Sequence, residues 1–133
     1  MVVVLVLVLI LNTKMPTNQP IGVTTSMVSF CDSDLINDTA DCLSDFVGGF
    51  YKYKDRPDSE DVDFQMLYDE GGDCGTWSQF YKEAGEQLGK KSQYVVMSME
   101  WNKKHRVTII SDETGYCLFD NWAYSCGLYG NKS

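Results

Sequence analysis

The chain has 133 residues, of which 44% are apolar and 13% aromatic, enough to build one domain with a packed core but not two, and too apolar for wholesale disorder. Nineteen Asp and Glu against eleven Lys and Arg leave a net charge of −8, which argues against nucleic-acid binding, since that needs a basic footprint to neutralise phosphates. The one long apolar run, Val2 to Leu11, is about half of the ~20 residues a membrane-spanning helix requires, so no stable membrane span is expected.

Val2 to Leu11 has the length of a signal-peptide apolar core, although no charged residue precedes it and no small-residue cleavage pattern follows. It reads as an export leader, with a buried N-terminal strand as the alternative. Asn12 to Pro20, with two prolines, reads as a linker, so residues 1–20 stand apart and a single domain spans 21–133. The expected location is secreted or cell-envelope, and cytoplasmic if the run is not a signal.

Leu35, Ile36, Thr39, Cys42, Leu43, Phe46 and Val47 recur at helical spacing, with Ser33 as a candidate cap and Gly48-Gly49 as the stop. Phe50 to Lys54 alternates like a strand. Asp55 to Asp63 is acidic, contains Pro57 and lacks the spaced ligands and turn glycine of a calcium loop, so it reads as a solvated loop. Phe64 to Tyr68 suggests another strand, broken by Gly71-Gly72. A second helix follows through Trp77, Phe80 or Tyr81, Ala84 and Leu88, with a Thr76/Gln79 capping-box pattern and Gly89 as its end. Three strands, about Gln93–Trp101, Arg106–Ser111 and Tyr116–Tyr124, are joined by connections short enough for hairpins. The predicted class is α+β, a helix laid on an antiparallel meander.

Five cysteines are many for this length, and the number is odd. In an oxidising compartment four can pair, with three possible connectivities, leaving one free or intermolecular thiol. There is no Cys-x-x-Cys pair and His105 is the sole histidine, so no metal or cofactor is implied. Asn37-Asp38-Thr39 and Asn131-Lys132-Ser133 match the glycosylation acceptor pattern, which is short enough to arise by chance.

Cys74 sits just ahead of the second helix, where unpaired backbone N–H groups and the helix dipole favour a thiolate and can hold an oxyanion. A thiolate nucleophile wants a base, and the base an orienting group. Strand arithmetic supplies both. If Asp112 to Gly115 is the turn, Ser111 faces Tyr116, Val107 faces Asp120 and His105 faces Trp122. His105 and Asp120 are then diagonal neighbours on one face, roughly 5–7 Å apart at their backbones. A register slip of one residue would separate them. Gln65, on the predicted strand before Cys74, is a candidate side-chain oxyanion donor, and Trp77, Trp101 and Trp122 are candidates for lining a substrate groove, with core packing as the ordinary role of each.

Gly72-Asp73-Cys74 opening a helix, Lys104-His105-Arg106-Val107 opening a strand and Leu118-Phe119-Asp120-Asn121 closing the next together resemble the transglutaminase-like branch of the papain-like superfamily. The similarity is strongest to the bacterial transglutaminase-like cysteine proteinases and runs from Gly71 to Asn121. The resemblance implies a papain-like fold, with Cys74 as nucleophile, His105 as general acid and base, Asp120 as orienting carboxylate, and acyl-enzyme chemistry on an amide. Gly75, Thr76 and Trp77 stand where that family often has acidic residues, so its calcium site is not carried over. Cys74-Gly75-Thr76-Trp77 is also similar to the Cys-Gly-x-Cys-Trp run of papain-type proteases, an alignment that would put Thr76 in the nucleophile position. Asp73 and the Asp120-Asn121 pair favour the first alignment.

The leading expectation is therefore a thiol hydrolase acting on a protein or peptide substrate, protease favoured over deamidase or transglutaminase. The competing expectation is a secreted, disulfide-stapled effector or inhibitor that works by binding. The sequence fixes no oligomeric state.

Overall fold

The computed structural model describes residues 19–57 and 60–129. The apolar run Val2 to Leu11, most of the linker and the Asn131 acceptor pattern lie outside the described residues. In chain order come α1 (Thr25–Val28), a 3-10 turn (Ser29–Cys31), α2 (Ile36–Gly48), α3 (Phe64–Glu70) and α4 (Cys74–Gln87). Four strands follow: β1 (Lys91–Ser98), β2 (Lys104–Asp112), β3 (Gly115–Asp120) and β4 (Ala123–Leu128). The strands form an antiparallel meander in the order β1-β2-β3-β4, so the class is α+β.

In α2 the buried residues Ile36, Thr39, Ala40, Leu43 and Val47 recur every three or four positions, one apolar face turned to the core. Ser33 does not cap it. The N-cap is Leu35, which offers no side-chain acceptor, and the first free N–H, that of Ile36, donates instead to Thr114 Oγ1 of the β2–β3 turn at 2.9 Å. Asn37-Asp38-Thr39 lies in the first turn of α2, with Thr39 buried.

The sheet face that carries Thr108, Ile110, Cys117 and Phe119 packs on the helices. Thr108 Oγ1 donates to the Ser78 carbonyl of α4 at 2.6 Å, and Phe119 stacks on Tyr81 with ring centroids 4.4 Å apart. Helix and sheet meet closely at Gly85, where a Cβ would come within 2.0 Å of Ser92 Oγ. Trp77, Phe80, Tyr81 and Ala84 line the inward face of α4 and are fully buried.

Three segments depart from the sequence expectation. Phe64 to Tyr68 is helical, not a strand. Phe64, Leu67 and Tyr68 satisfy a helical period as well as their surroundings satisfy alternation, and Asp63 decides the matter by accepting the Met66 N–H at 2.9 Å as N-cap. Phe50 to Lys54 forms no ladder but a single parallel bridge, Tyr53 to Gly72. The last predicted strand is two strands, because Asn121 adopts φ 55° and turns the chain at Asn121-Trp122 between Asp120 and its partner Ala123.

The four paired cysteines are Cys31 with Cys42, tying the 3-10 turn to α2, and Cys117 with Cys126, crossing from β3 to β4. Cys74 is the free thiol among the described residues. Two disulfides are consistent with an extracellular location. No helix among the described residues is long and apolar enough to cross a membrane.

Candidate active site

Asp73 builds the start of α4. Its Oδ1 accepts from the N–H and the hydroxyl of Thr76, both at 3.1 Å, and its Oδ2 accepts from the Arg56 N–H at 3.3 Å. The cap is thus Asp73 and not Thr76, and the helix begins on Cys74 itself rather than just after it. The N–H groups at the first helical positions have no intrahelical acceptor, so the backbone donor of Cys74 sits beside its own sulfur.

The segment before the helix is held from below. Gly72 N–H donates to the Lys52 carbonyl at 3.2 Å and Lys54 N–H to the Gly72 carbonyl at 3.0 Å, laying residues 52–54 alongside 71–72. Gly71 has φ 94°, and a Cβ there would lie 2.5 Å from the Lys52 carbonyl oxygen, so only glycine allows this approach. The Arg56 guanidinium, 3% exposed, donates to the Gly71 carbonyl through Nη2 at 2.7 Å and Nε at 3.1 Å and pairs with Glu60 and Glu70. The Trp77 indole donates to the Lys52 carbonyl at 3.1 Å and adds a further tie.

The sheet brings the other groups. The β2–β3 register pairs Ser111 with Tyr116 and Thr108 with Phe119, the register required for His105 and Asp120 to meet. His105 Nε2 and Asp120 Oδ1 are 2.7 Å apart, and the imidazole is largely shielded. Arg106, the next residue, turns to the helix. Its Nη2 donates to the Gly75 carbonyl at 2.6 Å and its Nε to Ser78 Oγ at 2.7 Å, while its guanidinium lies 3.9 Å from the centre of the Tyr94 ring. Burial lowers the Arg106 pKa from its ordinary value, against the raising effects of Tyr94, Cys74 and Asp73. Arg106 thereby ties the strand that carries His105 to the first turn of the helix that carries Cys74.

Cys74, His105 and Arg106 line one cleft of about 350 Å³, together with Tyr53 and Arg56. Among the described residues no hydrogen bond joins Cys74 to His105. Catalytic hydrogen bonds are commonly long or unmade without substrate, so the shared cleft is the relevant geometry. Among the described residues no group of three His, Cys, Asp or Glu side chains is placed to hold a metal ion.

The remaining sequence candidates fall elsewhere. Gln65 is on α3, where its amide donates to Asp69 Oδ2 at 3.0 Å, and it does not line the cleft, because its segment is a helix rather than a strand beside Cys74. None of the three tryptophans lines the cleft either. Trp77 is fully buried in the core. Trp101 stands 86% exposed in the β1–β2 turn. Trp122 stacks on Tyr51 at 5.9 Å and donates its indole N–H to the Ser44 carbonyl at 3.1 Å. The sequence reading missed Tyr53, Arg56 and Arg106. Tyr53, one of two tyrosines in an alternating stretch, carries no signal of its own, and the arginines act through carbonyls that only the fold supplies.

No protein-family model, no curated protein and no solved structure matches the chain.

Proposed function

We propose that this protein is a thiol hydrolase that cleaves amide bonds through an acyl-enzyme, with Cys74 as nucleophile, His105 as general acid and base, and Asp120 orienting the imidazole. The observation that carries this reading is the 2.7 Å contact between His105 and Asp120 at a cleft shared with the free thiol, which stands at a helix N-terminus. The resemblance to transglutaminase-like cysteine proteinases supports it, and the residues carrying that resemblance come from three separate stretches that the fold draws together.

The chemistry follows from the placement. The Cys74 thiolate attacks the carbonyl carbon, and the carbonyl electron pair moves to oxygen, to which the Cys74 N–H can donate a hydrogen bond. His105, protonated and held by Asp120, gives its proton to the leaving amine as the C–N bond breaks. Water or a second amine then attacks the thioester, His105 takes its proton, and the C–S bond breaks to return the Cys74 thiolate. Protease, deamidase and transferase share these steps and differ in which amide enters the cleft; the nearest sequence pattern is proteolytic, which favours a peptide bond. The two disulfides suit a secreted enzyme and a secreted binding protein equally and do not separate them.

Incubation with unfolded casein, scoring new amino termini and released ammonia, tests the proposal. It expects one of these products from the wild type and neither from Cys74→Ala. Absence of both from the wild type, or their persistence in Cys74→Ala, would overturn it.

A further inference from the structure

We propose that the Tyr53 hydroxyl is the second donor to the oxyanion that forms when Cys74 attacks an amide carbonyl, beside the backbone N–H of Cys74. The inference rests on the hydrolase reading and names the group that Gln65 cannot supply.

Three observations place Tyr53 in this role. Its backbone is bridged to Gly72, two residues ahead of the nucleophile, by the hydrogen bonds of Lys54 and Lys52 with Gly72. Its side chain lines the cleft with Cys74 and His105 and is half-exposed, free to meet a substrate. Its hydroxyl makes no hydrogen bond among the described residues, whereas the other neutral donors of the cleft are engaged. The Thr76 hydroxyl donates to Asp73, and the Gln79 amide donates to the Gln19 carbonyl and to Glu83. Arg56 and Arg106 commit nitrogens to the Gly71 and Gly75 carbonyls.

The electrostatics agree with the role. Burial, followed by the negative charges of Cys74, Asp55, Asp73 and Tyr51, raises the Tyr53 pKa above the ordinary phenol value, so the hydroxyl keeps its proton and stays a donor. In the adduct the C–S bond forms, the carbonyl pair moves to oxygen and the phenol O–H donates to it without transferring its proton. On collapse the pair returns and the C–N bond breaks.

A peptide aldehyde, N-acetyl-phenylalanyl-glycinal, tests this without a known substrate, because a thiol adds to it to give a tetrahedral adduct with no leaving group. Protection of Cys74 from iodoacetamide measures its affinity, and the alkylation rate without aldehyde measures the thiol alone, since alkylation forms no oxyanion. Tyr53→Phe is expected to weaken protection by about 10–100-fold, less than a fully enclosed donor would, and to leave the unprotected rate within about twofold. Equal protection of Tyr53→Phe and wild type overturns the role of Tyr53 and leaves the hydrolase reading standing. A matching fall in the unprotected rate would show a merely structural role and also overturns it. A wild type that the aldehyde does not protect overturns both.

Discussion

Asp112 illustrates how single residues carry the stability of the site's frame. Burial raises its pKa, but hydrogen bonds from the Thr114 hydroxyl and N–H, and the hydrogen bond and charge of Lys90, outweigh this and hold it below the ordinary carboxylate value. Its carboxylate is 3.0 Å from Lys90 Nζ, and both side chains are largely buried. A carboxylate with a depressed folded pKa stabilises the fold above its unfolded value of about 3.9, and the contribution is lost as pH falls through the folded value. Asp112→Asn should therefore cost about 1 kcal/mol at neutral pH in denaturant titrations, with the difference narrowing below about pH 4. A difference that stays constant down to acid would contradict the assignment. At this scale the sequence was informative where one residue type has few uses. Cys74, His105 and Asp120 stood out because a lone histidine and an odd cysteine invite pairing. Tyr53 and Arg56 did not, because their importance lies in the Gly72 bridge and the Gly71 carbonyl, which no local pattern encodes.

The elements that present the site depend on two local devices, the Asp73 cap and the Gly71-Gly72 crossing. Asp73→Ala removes the acceptor for Thr76 and should destabilise the protein by about 0.5–2 kcal/mol, the usual cost of a lost N-cap, while slowing the reaction of Cys74. A destabilised variant with unchanged thiol reactivity would show that the cap holds the helix without setting the nucleophile. Gly71→Ala meets both a left-handed backbone and the Lys52 carbonyl, so a loss of about 2–3 kcal/mol is expected in thermal or denaturant unfolding. The helices α2 and α4 and the β2–β3 hairpin were legible because their apolar periods are long or their turns short. The stretch Phe64 to Tyr68 was not, since five residues fit either period and the choice was made by Asp63 outside the run. The turn at Asn121-Trp122, between Asp120 and Ala123, was hidden for a related reason: no glycine or proline marks it.

Across the molecule four cysteines pair and Cys74 stays free among the described residues. Cys31–Cys42 and Cys117–Cys126 close loops of sequence separation 11 and 9 and should each contribute about 2–3 kcal/mol, so reduction is expected to lower Tm markedly. Alkylation of the unreduced native protein should add one label per chain, at Cys74; labelling at any of the other four would contradict the pairing. The α+β arrangement and the meander order followed from the sequence pattern because each hairpin is local. The layout of residues 50–57 and 71–72 did not, since these stretches pack through one bridge, glycine contacts and a buried arginine rather than through a repeating period. The tryptophans show the same limit, as composition marks them as important while only packing sends Trp77 to the core, Trp101 to the surface and Trp122 onto Tyr51.

The pairing of Cys74 with His105 is the claim on which the functional account stands. Iodoacetamide labelling with peptide mapping, run from acid to alkaline pH on the wild type and on His105→Ala, tests it directly. Selective labelling of Cys74 in the wild type, lost or slowed in His105→Ala, is the predicted result. A Cys74 that is unreactive, or that reacts identically with and without His105, would contradict it.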